Sequence, residues 1–523
     1  MSKLFLILST IKYLKPIQIY YRLFYFVRNR FFKKSYSKKL SGNIIPLVWD
    51  DIIFSNHSYT KNKIFKFLNI NQEFKSNIDW NYNCYGKLWV YNLNYFDFLN
   101  QKEMSSKEGI GLILNYIESD ETLLDGKEPY PISLRGVNWI KFLSKYKVKN
   151  HLINQVLYNH YQILLKNLEY HLLGNHLLEN GFSLLFGAYF FKDDIFYNKA
   201  IKIIYKELNE EVLEDGAHFE LSPMYHQIIL FRLLECIHLL NNNFWKNDEL
   251  LIFLISKASM MLGWLDLVTF SDGSIPMVND SAHGIAPNSK ELFKYAEVLN
   301  LSYKTNTLGD SGYRKYNSEF YELFLDVGDI GPSYQSGHAH SDTFNFVLYV
   351  KGFPFIVDRG ISTYESNSLR QIERGTKSHN TVEVHEIDQS EVWCGFRVGN
   401  RAKIISIAES DNSIKSTHNG YKKYDVFHSR EWVMKSSSIV IKDTFNGENK
   451  LNKKAFFHLH PSVIKCSILG TKVLINDIEI LFNGDIVSIE KKNYKYASGF
   501  NKQEDAILLE ISFYKLLETQ INI

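Results

Sequence analysis

Near residues 300 to 315 the spacing of apolar residues changes, and this change constrains the architecture of the 523-residue chain more than any other feature. From about residue 85 up to that point, apolar side chains recur at helical spacing. Beyond it, short runs alternate with a period of two. A helix buries a stripe and a strand buries a face, so a chain that switches period once builds a helical unit followed by a β unit. Parallel strands among residues 150–300 would overturn this reading.

In the helical half, Val156 to Leu172 carries apolar residues at helical spacing, including Leu157, Tyr161, Leu164 and Leu168. The next segment opens Gly174-Asn175-His176-Leu177-Leu178-Glu179-Asn180, with Asn175 in a position to cap it. It then runs through Leu184, Leu185, Phe186, Ala188, Tyr189 and Phe190, apolar nearly all round, as expected of an inner helix of a toroid. Further helices are expected over Tyr197–Leu213, Pro223–Asn241 and Leu250–Leu265, in a stack of helical hairpins. Polar clusters interrupt them at Trp89–Asp97, at Tyr130–Arg135 with Asn138 and Trp139, at Asp215–His226, and at Ser271–Ser281. Ser222-Pro223 is a cap followed by a first-turn proline, which puts Tyr225 in the first turn of its helix. Each cluster alone is an ordinary cap or turn. Their recurrence at helix mouths points to one rim of a toroid, with a cleft.

In the β half, regular short strands separated by polar turns read as a sandwich. Phe346–Val350 and Phe353–Asp358 form a hairpin about Lys351-Gly352, which returns Asp358 beside Asn345, near His338 and His340. His338 and His340 are two apart and share a face of any extended segment. His340, Asp358 and His379 supply two imidazoles and a carboxylate, a zinc donor set; the alternative is one solvated histidine and two satisfied polar groups. His458 and His460 read as structural strand residues.

Composition is that of an ordinary globular protein, with 45% hydrophobic and 22% charged residues. Four scattered cysteines, without a CxxC, form neither a disulfide framework nor a thiolate metal site. Residues 1–49 hold ten Lys or Arg and no acid, so the overall charge of +3 leaves the remaining chain at −7. A mildly acidic body is not a nucleic-acid binder. The basic, aromatic segment 1–39 is suited to peripheral contact with an anionic membrane; otherwise it is a helix or two packed on the body with lysines in solvent. No cleavable signal peptide and no 18-residue apolar span is evident.

β-Elimination from a uronic acid needs a base for the C5 proton, a group to neutralise the carboxylate, and an acid for the leaving oxygen. Asn175, His176, Glu179, Tyr225 and His338 are of the right kinds. Each also has an ordinary structural reading, as cap, buried histidine, helix-start carboxylate, core tyrosine or solvated imidazole.

Several motifs in one order carry a resemblance: Gly174–Asn180, Ser222-Pro223-Met224-Tyr225, Gly337-His338-Ala339-His340-Ser341-Asp342, Val357-Asp358-Arg359-Gly360, His379-Asn380-Thr381-Val382 and Asp388-Gln389-Ser390-Glu391. Together they resemble the heparinase II/III family of polysaccharide lyases, over nearly the whole chain after about residue 80. The resemblance implies an α+β multidomain fold, an N-terminal (α/α) toroid followed by a C-terminal antiparallel β-sandwich. The units are a basic helical segment and connector (1–80), the toroid (81–305) and the sandwich (306–523). It implies that Asn175, with His176 and Glu179, neutralises the uronate. Tyr225 is then the acid, or the base for one epimer, and His338 is the other base or an orienter. Zinc on His340, Asp358 and His379 is then structural. Tyr91, Asn94, Arg135, Asn138 and Arg374 are the expected substrate contacts, although the family pattern has His where Asn94 stands. The implied partner is an acidic polysaccharide, the implied setting the periplasm or cell envelope within a surface-polysaccharide pathway; a cytoplasmic, membrane-peripheral setting is the alternative. Two other readings compete with a lyase: a non-lytic glycan-binding or glycan-assembly protein on the same fold, and a zinc hydrolase.

Overall fold

The computed structural model describes residues 3–32, 36–41, 44–246, 249–334, 336–446 and 451–523. Lys33 and Lys34, counted among the N-terminal cations, lie outside the described residues.

Two helices, α1 (Lys3–Ile11) and α2 (Pro16–Phe31), open the chain, and a small sheet of Tyr59–Thr60, Ile64–Phe67 and Ile70–Glu73 follows. The toroid is then built from α3 (Lys87–Tyr95), α4 (Ser106–Glu118), α5 (Pro129–Lys145), α6 (His151–Lys166), α7 (Gly174–Phe191), α8 (Asp194–Glu211), α9 (Pro223–Asn242), α10 (Glu249–Val268) and α11 (Ser289–Val298). Among the described residues no strand lies between 150 and 300. Every residue of α7 except His176 is buried, because α5, α6, α8 and α9 all pack on it. The all-round apolar sequence is therefore that of a central helix. α10 is long and apolar enough to cross a membrane by composition, but it packs on α9 and α11 within the toroid.

Two helix ends differ from expectation. α6 stops at Lys166, not Leu172; the Asn167 side chain donates to the Ile163 carbonyl at 2.6 Å, competing with the backbone for that acceptor. α7 begins one residue before Asn175, with Leu173 in the capping position, so Asn175 is not the cap.

The first strand after the toroid starts at Tyr313. Tyr313–Asn317, Tyr321–Asp326, Phe346–Val350 and Phe353–Ile356 form a four-stranded antiparallel sheet. A ten-stranded sheet faces it, its centre the long pair Ile478–Gly499 and Lys502–Asn522. Leu323, Leu325, Phe346 and Leu348 meet Trp432, Ile441, Phe457 and Ile511 in the sandwich core. The other face of the small sheet is also covered: Trp264, Val268 and Phe270 of the toroid pack on Phe324, Val347 and Tyr349, with the Phe270 and Tyr349 rings stacked at 3.9 Å. Burial on both faces explains the unbroken apolar run Phe346–Val350. The same contact locks the two domains together beside the cleft.

Candidate active site

The local chemistry of two helix starts and one loop places the candidate side chains. Ser222 accepts from the Tyr225 amide at 3.3 Å and Pro223 occupies the first turn, so Tyr225 projects from the mouth of α9. At α7, Glu220 supplies the missing cap: it accepts from the Asn175 amide at 3.1 Å and from the Asn175 side chain at 2.7 Å. Gly174 lets it approach; φ there is +58°, and a Cβ would lie 2.5 Å from the Glu220 carboxylate. His338 sits in the loop before the hairpin, with its ring 4.0 Å from that of Tyr225.

These residues line a cleft of about 430 Å³ between the two domains, walled by Tyr91, Tyr130, Tyr334, Tyr364 and Phe396 among others. The structure thus brings Asn175, His176, Tyr225 and His338 together, with Tyr91 at the edge. The Tyr225 hydroxyl is 3.3 Å from that of Tyr364. His338 Nε2 lies 3.4 Å from Asn175 Nδ2 and 3.7 Å from Glu220. His338 Nδ1 meets Asp280 at 2.9 Å, and the other Asp280 oxygen meets His340 Nε2 at 2.9 Å. Arg370 clamps both Asp280 oxygens, at 2.6 and 2.7 Å. His338 and His340 do share a direction, toward one carboxylate, although the segment that carries them is turn and irregular loop rather than strand.

Burial fixes the protonation states. Burial and then the neighbouring Tyr364 push the Tyr225 phenol well above its usual range, so it keeps its proton at neutral pH. Burial opposes ionisation of Asp280, but Arg370, His338 and His340 outweigh it and hold the carboxyl well below its usual range. Desolvation within the cleft disfavours charge on the partly exposed His176, yet the Glu169 carboxylate at 3.0 Å wins and raises its pKa. Glu220 is lowered: burial raises it, but His338 and His218 lower it more.

Five expected residues are not at the cleft. Glu179 is buried and paired with Arg232 at 2.8 Å. Asn94 donates to the Trp80 and Val90 carbonyls, and Arg135 to the Asn94 carbonyl, with its guanidinium 4.9 Å from the Tyr116 ring centre. Asn138 holds the Tyr95 carbonyl and Asp97, and Arg374 the carbonyls of Ala339, Cys394 and Gly395. The physical reason is that buried polar groups must be satisfied: Glu179 by the Arg232 guanidinium, and the four donors chiefly by nearby backbone carbonyls. These side chains shape the rim from behind rather than meet a ligand.

Sequence reasoning passed over Asp280, Glu220, Glu169, Tyr130, Tyr364 and Arg370. Asp280, Glu220 and Tyr130 stood in the polar clusters, which was a usable signal. Tyr364 and Glu169 had none.

For the expected metal ligands, His379 Nδ1 meets Asp358 at 2.7 Å, the Asn345 amide meets the same Asp358 oxygen at 2.6 Å, and the His340 and His379 rings are 5.2 Å apart. All are buried, and among the described residues His340 Nδ1 and His379 Nε2 have no hydrogen-bond partner. The donors fit zinc in kind and burial, but His379 and Asn345 both occupy one Asp358 oxygen; Asp280 stands behind His340 as an orienting carboxylate. As they stand, no three His, Cys, Asp or Glu side chains among the described residues are gathered as a ligand set.

Comparison with known proteins agrees with the geometry. Sequence models described as Heparinase II/III N-terminus and Heparinase II/III-like, C-terminal match residues 133–302 and 302–516. A heparin-sulfate lyase of Bacteroides stercoris is 26% identical over 250 residues, 42% of this chain and 37% of that one. One from Bacteroides thetaiotaomicron is 24% identical over 229 residues, 36% of this chain and 32% of that one. The chain thus spans about a third of the length of the curated relatives it matches. Among solved structures, heparinase III superposes with a TM-score of 0.66 at 15% identity, covering 97% of this chain and 90% of the other. Heparan sulfate lyase HepC from Pedobacter heparinus gives 0.57 at 16% identity, covering 88% and 81%. At these identities the likeness is one of fold.

Proposed function

The chain belongs to the heparinase II/III family, and we propose that it is a polysaccharide lyase that cleaves a uronic-acid-containing acidic polysaccharide by β-elimination. The observation that carries this reading is the meeting of Asn175, His176, Tyr225 and His338 on one inter-domain cleft. Relatives named heparin-sulfate lyase support the substrate class.

The roles follow from protonation and position. Asn175 offers an amide N–H, and His176, whose cationic form Glu169 favours, offers charge; together they hold the uronate carboxylate and the negative charge that grows on it. Anionic Asp280 accepts the His338 Nδ1 proton, which leaves a lone pair on Nε2 inside the cleft. Nε2 takes the C5 proton, and the electrons of the C5–H bond form the C4–C5 double bond. The C4–O bond breaks, and the protonated phenol of Tyr225 gives its proton to the departing oxygen. Solvent then returns a proton to Tyr225 and removes one from His338. The test is incubation with a panel of acidic glycans: an unsaturated uronate at the new chain end creates an ultraviolet absorbance. No new absorbance with any uronate-bearing glycan, including the source organism's own surface polysaccharide, would remove the assignment.

Zinc is proposed as a structural ion on His340, Asp358 and His379. Bound there, it would tie the hairpin to the segment around His379 and add its binding energy to folding.

A further inference from the structure

The two N-terminal helices are docked the wrong way round for a soluble protein. In α2, Gln18, Tyr21, Tyr25 and Arg28 recur at helical spacing on the face toward the body. Gln18 donates to the Leu172 carbonyl at 2.9 Å, Tyr25 to Leu168 at 2.6 Å, and Arg28 to Lys166 at 2.5 Å. The outward face carries Tyr20, Leu23, Val27 and Phe31, flanked by Phe26; Leu23, Phe26 and Phe31 are 62%, 69% and 71% exposed. α1 also turns apolar residues outward, although half-buried Leu6 and Ile7 share its inner side. Ser9 is buried and Thr10 accepts from the Trp393 indole at 3.0 Å, whereas Leu4 and Leu8 are 65% and 59% exposed, with Ile11 on the same face.

Isolated exposed apolar residues are ordinary, but two consecutive helices that each turn a row of large apolar residues to solvent form a binding face. Charge identifies the occupant. Residues 1–49 contain no acid, and exposed Arg30 and Lys3 border the apolar face of α2 and α1. An apolar surface with an aromatic component, bordered by cations and by no acid from its own helices, matches the interface of an anionic lipid bilayer.

We propose that α1 and α2 seat the protein on an anionic membrane surface. Lys15, at the start of α2, lies 4.0 Å over the Tyr334 ring, and Gln18 holds Leu172; Tyr334 and Leu172 both line the cleft. Docking through these helices therefore sets the cleft beside the bilayer. The docking stands whether or not the cleft is lytic.

The test is flotation of the full chain with phosphatidylcholine vesicles, with and without phosphatidylglycerol. The chain is expected to float with the anionic vesicles, less so as salt rises. The variant L23E/F26E/F31E should lower the bound fraction more than about tenfold with an unchanged thermal midpoint. If that variant fails to fold, L4E/L8E on α1 asks the same question. Absence of flotation, or equal flotation of the folded variant, would overturn the proposal. So would concentration-dependent dimerisation in sedimentation velocity that the variant abolishes while vesicles bind neither, because the face would then belong to a second copy.

Discussion

Tyr225→Phe separates chemistry from architecture at the candidate site. The substitution removes one oxygen whose hydrogen-bond partner, the Tyr364 hydroxyl, is a long 3.3 Å away. Its cost to stability is about 1 kcal/mol or less. The ring, which packs 4.0 Å from His338, remains. If the phenol delivers the proton to the leaving oxygen, its loss should cut turnover by about 10²- to 10⁴-fold. That corresponds to about 3–5 kcal/mol of transition-state stabilisation, well outside the stability effect. Initial rates of unsaturated-uronate absorbance across substrate concentration should place the loss in kcat, with KM little changed. Tyr364→Phe is the internal control: it perturbs the same hydroxyl pair from the other side and should cost far less. The phenol is held well above its usual range, so wild-type activity should show no loss from Tyr225 ionisation up to about pH 9. Unchanged turnover in Tyr225→Phe, on a glycan the wild type cleaves, would refute the reasoning.

Other outcomes test the surroundings. Asn175→Ala should lower kcat more than it raises KM, because the carboxylate's extra charge develops in the transition state; equal binding and turnover in steady-state kinetics would remove its role. Asp280→Asn leaves buried Arg370 without a counter-charge and should cost about 3–5 kcal/mol in urea unfolding. Because Asp280 is depressed in the fold, its contribution is present above about pH 4 and fades as pH falls further, so the wild type should lose more stability there than the variant. His226 accepts from the His218 amide on Nδ1 and faces the Met261 carbonyl with Nε2, and burial lowers its pKa to about 3. Folding must keep it neutral, so its contribution is whole above pH ~6.5 and lost toward pH 3, about 2 kcal/mol by pH 5; urea midpoints at pH 7 and 5, compared with His226→Gln, measure it. Metal analysis should find near-stoichiometric zinc, absent from a His340→Ala, His379→Ala double variant, and chelation should lower the wild-type thermal midpoint.

What the sequence alone determined was whatever short-range physics decides. The change of apolar period separates helices from strands because each buries its own pattern. Ser222-Pro223 starts α9 and so aims Tyr225, since a cap and a fixed φ act within one turn. The hairpin through Phe346–Val350 returns Asp358 to Asn345, the two-residue turn setting the reach and a bulge beside Leu348 the final register. The polar clusters marked the helix mouths but not which way their side chains face. Asn94, Arg135 and Asn138 stand in the same kind of cluster as Tyr91, yet they turn inward to carbonyls that packing brings near, while Tyr91 reaches the cleft. Asp280 became the anchor of His338 only across a sequence separation of 58, and Tyr364 meets Tyr225 across one of 139. Such partners are selected by the packing of the two domains through Phe270 and Tyr349, not by neighbours in the chain. A polar side chain ends wherever its desolvation is best compensated, and that acceptor exists only once the domains have met.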